Sequence, residues 1–216
     1  MSKTAVIIGA TGLVGSNLVN QLLRDDAFDL VKVFVRNSTG IKASNFLEFI
    51  VDFEDFESFN SDVKGDVLFS CMGTTLKTAG SKSVQYKIDY TFQFEMAKTA
   101  KENGFDELVL VSSTGANSQS IFFYPKIKGQ LEESVAKLGF NKLVIVRPSL
   151  LLGERKEPRF GEKIYAKILP ILSVLPGMKK YKGITGLQVA KAMINLSKNS
   201  NLRSTVFELD ELFKYV

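Results

Sequence analysis

Histidine is absent from the 216-residue chain. That excludes Ser-His-Asp triads, imidazole general bases and histidine metal ligands. Proton transfer must then fall to Tyr, Lys, Asp or Glu. Cysteine is almost absent too. Cys71 stands alone, which rules out an internal disulfide and argues against a zinc site. A lone thiol fits a reducing compartment and sets the expectation of a cytoplasmic protein. Long apolar runs are missing. The most apolar late stretch, Ile168 to Leu175, is interrupted by Pro170 and followed by Pro176, so no membrane span is expected. Met1-Ser2-Lys3-Thr4 runs straight into an apolar segment without a signal-peptide pattern. Net charge is only +5. No dense basic block interleaves with aromatics, so no nucleic-acid face is expected.

What remains suits a single α/β domain with a modest extension. Strand-like apolar runs lie near 4–8, 30–35, 47–51, 66–71, 107–111 and 142–147. Helix-like stretches lie near 13–24, 83–103 and 122–138, with Gly, Asp and Asn punctuation between them. Such alternation predicts a doubly wound parallel sheet, a Rossmann fold, with helices on both faces. After Arg147-Pro148 the pattern changes. Pro148, Pro158, Pro170 and Pro176 mark a loop-rich segment with shorter helices near 161–169 and 185–198. Residues 148–216 are expected to form a small cap on one domain spanning 1–216. Charges, Gly and Pro between Gly153 and Lys163 suggest a lid.

The first strand turns directly into Gly9-Ala10-Thr11-Gly12-Leu13-Val14-Gly15, and a helix pattern follows. Strand, glycine turn and helix together form a cradle for a dinucleotide pyrophosphate. Gly9 permits the sharp exit, Gly12 lets backbone approach the anion, and Gly15 lets the helix pack on the strand. Thr11, Leu13 and Val14 join them as candidate contacts. At the end of the second strand stand Arg36 and Asn37, where NAD-preferring proteins usually carry an acid. A guanidinium there would stack on adenine and pair with a 2′-phosphate. NADP(H) is the expected cofactor, NAD(H) the second choice. Asp52 could accept from the adenine amino group or merely cap a turn, and Phe53 could flank the ring. Met72-Gly73 suits close passage of a ribose or pyrophosphate. Cys71 itself reads as a small buried hydrophobe.

The catalytic candidates follow the fifth strand. Ser112-Ser113-Thr114-Gly115 ends it, and Tyr124-Pro125-Lys126-Ile127-Lys128 begins a helix. Tyr124 and Lys128, four residues apart, share one helix face. A free phenol, with a pKa of about 10, is a poor base at neutral pH. An ammonium one turn away favours the phenolate. Lys128 could also hold a nicotinamide ribose. Ser113 or Thr114 would orient a carbonyl oxygen, with Ser112 a third option.

Five stretches resemble the atypical short-chain dehydrogenase/reductase family that includes the human Tat-interacting oxidoreductase. They are Gly9–Gly15, Val51-Asp52-Phe53-Glu54, Cys71-Met72-Gly73-Thr74-Thr75, Ser112-Ser113-Thr114-Gly115-Ala116 with Tyr124-x-x-x-Lys128-Gly129, and Arg147-Pro148 through Arg159-x-Gly161-Glu162. The resemblance implies NADPH bound through the glycine turn, Arg36, Met72-Gly73, Tyr124 and Lys128. It also implies that Leu151 and Arg159 approach the cofactor. The family often has a second arginine where this chain has Asn37, which implies weaker 2′-phosphate binding.

The expected function is NADP(H)-dependent hydride transfer to or from a small carbonyl or alcohol. The alternatives are a non-catalytic NADP(H)-binding redox sensor or assembly factor, and, third, a sugar-nucleotide epimerase or dehydratase. No metal is expected, and the sequence names neither substrate nor oligomeric state.

Overall fold

A computed structural model describes residues 2–153 and 182–216. The helix expected at 161–169, the lid beyond Gly153 and Arg159 lie outside the described residues. The chain builds β1 (Lys3–Ile8), α1 (Leu13–Leu22), β2 (Phe28–Val35), β3 (Phe46–Ile50) and β4 (Val67–Ser70). It continues through α2 (Leu76–Ala79), α3 (Lys82–Tyr86), a π-helical turn (Lys87–Thr91) and α4 (Phe92–Glu102). Next come β5 (Glu107–Val111), α5 (Phe123–Ala136) and β6 (Lys142–Arg147). The described chain closes with β7 (Leu151–Leu152), β8 (Ile184–Thr185), α6 (Gly186–Lys198), β9 (Ser204–Glu208) and a final 3-10 turn.

Among the described residues the main sheet has seven strands in the order β3-β2-β1-β4-β5-β6-β9. Each pairing in it is parallel. This is a doubly wound Rossmann sheet, with its switch point between β1 and β4. The strands are apolar on both faces because helices cover both. Ala5, Ile7, Val31, Val33, Val67, Phe69, Val109 and Val144 face the core shared with α1 and α6. Val6, Ile8, Phe34, Leu68, Leu108, Leu110 and Ile145 face the core under α4 and α5. Each fully buried side chain of this kind contributes about 1.5–3 kcal/mol.

The helix read as one stretch over 83–103 is divided. Asp89, fully buried, sits in the π-helical turn between α3 and α4. Gln93 donates to the carbonyls of Ile88 (3.2 Å) and Asp89 (3.1 Å), while its side-chain oxygen accepts from Ser70 at 2.8 Å. The amide thus partners carbonyls in the widened turn and ties it to the end of β4.

The tail rejoins the core. Thr185 and Gln188 form a capping box that starts α6. The helix runs along α1, and Lys198 pairs with Asp25 at 2.7 Å. Strand β9 adds to the edge beyond β6. Phe207 alone of its residues is buried, so the run lacks the continuous apolar pattern of the inner strands.

Candidate functional site

A crevice of about 350 Å³ opens at the carboxyl ends of β1, β2 and β4. It lies at the topological switch point, where open α/β sheets take their ligands. Gly9, Thr11 and Gly12 line it from the first turn, Arg36 and Asn37 from the end of β2, and Met72 and Gly73 from the turn after β4. Phe53 also lines it. That ring is buried against Phe56, Phe59 and Phe92, so the wall is a rigid aromatic cluster.

The local sterics of the glycine turn are severe. Gly9 has φ of 77°, and a Cβ there would lie 2.5 Å from the Cys71 backbone. A Cβ on Gly15 would lie 2.1 Å from the Gly9 carbonyl oxygen. Only glycine allows α1 to start this close to β1 and β4. The helix begins at Gly12 without a side-chain cap, which leaves its first N–H groups to an external acceptor. An uncapped helix N-terminus, an aromatic wall and an arginine at the rim suit pyrophosphate, adenine and a ribose phosphate respectively. The residues present therefore fit a dinucleotide.

Other expected contacts lie outside this lining. Val14 is buried in the core and Gly15 packs on the turn behind it. The Leu13 side chain abuts Gly153 and Gly186. Asp52 accepts from the Glu54 backbone N–H at 2.9 Å and closes a turn. Leu151 pairs with Ile184 in a two-stranded ladder.

Tyr124 and Lys128 stand on the first turns of α5, and neither is among the residues lining the crevice. Lys128 is buried, and its ammonium donates to the Val111 carbonyl at 3.2 Å. Burial pushes the Cys71 thiol up to about 12, and the Lys128 charge opposes that rise. The ammonium thus acts on a residue of the crevice wall. Burial nevertheless keeps Cys71 a neutral thiol, and a nucleophile needs the thiolate.

The three hydroxyls after β5 are not equivalent. Ser112 is buried and donates to the Glu132 carboxylate. Thr114 donates to the carbonyls of Arg147 (3.2 Å) and Pro148 (2.9 Å). Ser113 reaches only its neighbour's carbonyl, at 3.4 Å, near the limit of a hydrogen bond.

Several participants were invisible to motif reading. Thr78, Ala79, Val84 and Ile88 close the crevice from α2, α3 and the π-helical turn. Asp89 accepts from the Thr74 N–H, its oxygens 3.3 and 3.4 Å away. Its signal was a charged residue amid an apolar helix pattern. Glu132 and Arg147 form a bidentate pair behind Tyr124 and Lys128. The two lie 15 residues apart in sequence, and no local motif joins them. Among the described residues no cluster of His, Cys, Asp or Glu could hold a metal ion.

The model of a family described as NAD(P)H-binding matches residues 9–165. The chain is 38% identical over 204 residues to "Protein FMP52, mitochondrial" of Candida glabrata, covering 88% of this chain and 86% of that protein. It is 31% identical to the protein of the same name in Saccharomyces cerevisiae, covering 93% and 90%. Among solved structures, the UDP-glucose 4-epimerase of Thermotoga maritima superposes with a TM-score of 0.72 at 15% identity, covering 98% of this chain and 80% of that one. MoeE5 in complex with UDP-glucose and NAD superposes at 0.71 with 12% identity, covering 95% and 75%. At such identities the likeness shows the fold alone.

These relatives overturn the cytoplasmic expectation, since they are named as mitochondrial proteins. A lone thiol excludes an internal disulfide and specifies no single compartment. No described helix is long and apolar enough to cross a membrane. The glycine turn at the switch point, the family model over residues 9–165 and the relatives spanning most of the chain agree: this chain belongs to the NAD(P)H-binding family, in the group of the fungal FMP52 proteins.

Proposed function

We propose that the chain is an NADP(H)-dependent oxidoreductase that interconverts a small carbonyl and its alcohol, working in mitochondria as its relatives' names indicate. The observation that carries this reading is the placement of Tyr124 and Lys128. They lie four residues apart on α5, and the Lys128 ammonium donates to the carbonyl of Val111, the last residue of β5, within electrostatic reach of Cys71.

The glycine turn and the first turn of α1 bind the pyrophosphate, and Arg36 at the rim pairs with the 2′-phosphate. When bound, NADPH supplies the hydride. Tyr124 donates its phenolic proton to the oxygen of the reduced carbonyl, or removes it in the oxidising direction. Lys128 stabilises the phenolate that results. Ser113 orients the carbonyl oxygen, because Ser112 and Thr114 are already engaged. The NAD(P)H-binding family of the chain supports the nucleotide half of this reading.

The test is Tyr124→Phe against a panel of aldehydes and ortho-quinones. NADPH binding should persist while turnover falls by about 10²–10⁴-fold, the range for a lost general acid. Turnover that survives intact would remove Tyr124 from the chemistry. Tight NADPH binding with no wild-type turnover on any panel member would favour the redox sensor instead.

A further inference from the structure

Tyr124, Lys128 and Glu132 succeed one another at four-residue intervals on α5, so the three share one helix face with Lys128 in the middle position, in reach of either neighbour. Lys128 and Glu132 are both buried. An ionised carboxylate is a better partner for an ammonium than a neutral phenol. Left to itself, Glu132 would compete with Tyr124 for Lys128.

Glu132 is not left to itself. The Arg147 Nε donates to its Oε1 at 3.0 Å and Nη2 donates to its Oε2 at 2.5 Å. Ser112 donates to the same Oε1. The fork holds both oxygens, as only a guanidinium can. Pairing with Glu132 raises the Arg147 pKa further, so the cation is permanent. Glu208, at the end of β9, lies 3.6 Å from Arg147 and accepts from the Gly115 N–H at 3.4 Å.

We propose that Arg147 is a positioning residue for the catalytic pair: by occupying Glu132 it prevents that carboxylate from drawing the Lys128 ammonium away from Tyr124. The inference rests on the reading of Tyr124 as proton donor. It assigns a function to an ion pair that lies outside the crevice lining. Other charged groups surround α5 from neighbouring elements: Glu208 on β9, Lys82 over the Phe123 ring, and Asp89 in the π-helical turn. The Cys71 thiol stays neutral below about 12. The substitutions below leave all four in place.

The experiment follows the phenolate absorbance of Tyr124, as wild type minus Tyr124→Phe, in protein saturated with NADP⁺. Arg147→Met should raise the phenol midpoint by about one pH unit, the scale of a lost neighbouring charge, and slow turnover about tenfold at neutral pH. Adding Glu132→Gln to Arg147→Met removes the competitor and should return the midpoint to within about 0.3 unit of wild type. A purely structural pair predicts the reverse, a double variant no better than the single one, and that result overturns the proposal. If Arg147→Met does not fold, Glu132→Gln alone decides. Its midpoint should match or fall below that of wild type, and a rise overturns the proposal. A wild-type Tyr124 that ionises only at the ordinary phenol value would instead sink the proton-donor reading itself.

Discussion

Strand β6 carries an ion pair at each end, and the two are built differently. At its first residue, Lys142 lies 3.2 Å from Glu107, which also pairs with Lys3 at 2.8 Å. The same ammonium donates to the carbonyls of Ser197 (2.5 Å) and Asn199 (2.9 Å). It therefore caps the carboxyl end of α6, where a cation is favoured by the helix dipole. At the last residue of β6, Arg147 grips Glu132 on α5, the helix that carries Tyr124 and Lys128. A lysine serves at the amino end because one point charge must reach several carbonyls. An arginine serves at the carboxyl end because one carboxylate must be held in a fixed plane. The amino end of the sheet holds the fold together, while its carboxyl end holds the groups to which the proposed chemistry is assigned.

Removing Glu107 should produce the largest effect. Glu107→Ala leaves Lys142 buried without its carboxylate, and loss of one partner of a buried pair costs about 3–5 kcal/mol. Urea unfolding should show that loss while NADPH affinity of the folded protein changes by less than about twofold. A large affinity change would mean that the two ends are coupled.

The converse holds at the other end. Arg36→Ser should weaken NADPH binding by about 10–100-fold, the worth of a charge-assisted hydrogen bond, and leave NADH binding unaltered. Arg36 is exposed at the end of β2, so unliganded stability should change by less than about 0.5 kcal/mol. Equal losses for the two nucleotides, measured by thermal shift, would remove Arg36 from 2′-phosphate recognition.

The smallest effect is a pair of opposite pH slopes. The Cys71 thiol is pushed by burial from 9.0 to about 12. The unfolded chain therefore loses that proton first, and stability falls as pH rises from about 9 to about 12. Burial lowers the Lys142 pKa, against the pull of Glu107. The unfolded chain then binds more protons just below 10.5, and stability rises with pH in that window. Cys71→Ala should flatten the alkaline decline in melting temperature, and Lys142→Met should steepen it. The same sign for both would show that one assignment is reversed.

The inner sheet was legible because its evidence is local. Val6 and Ile8 alternate with Ala5 and Ile7, and the glycine spacing from Gly9 to Gly15 encodes sterics that the fold displays. The eight crevice residues read from sequence, from Gly9 to Gly73, follow the ends of four strands, β1 to β4, that the doubly wound order brings together. Asp52 shows the limit: its sequence position allowed a ligand contact or a turn, and the backbone of Glu54 takes its carboxylate. The break at Asp89 was not legible either. It depends on Gln93 meeting Ser70 from another element. Strand β9 escaped notice because an edge strand with one buried residue needs little apolar patterning.

The chain alone determined the alternation of strands and helices, the glycine turn, the exclusion of histidine chemistry and the four-residue spacing of phenol and ammonium. Each follows from neighbours within a turn or a strand, where bond geometry and side-chain size decide the outcome. Tertiary structure decided which of three hydroxyls stays available, which carboxylate Arg147 holds and where the aromatic wall stands. Those depend on contacts between elements far apart in sequence, which exist only after burial has driven the layers together.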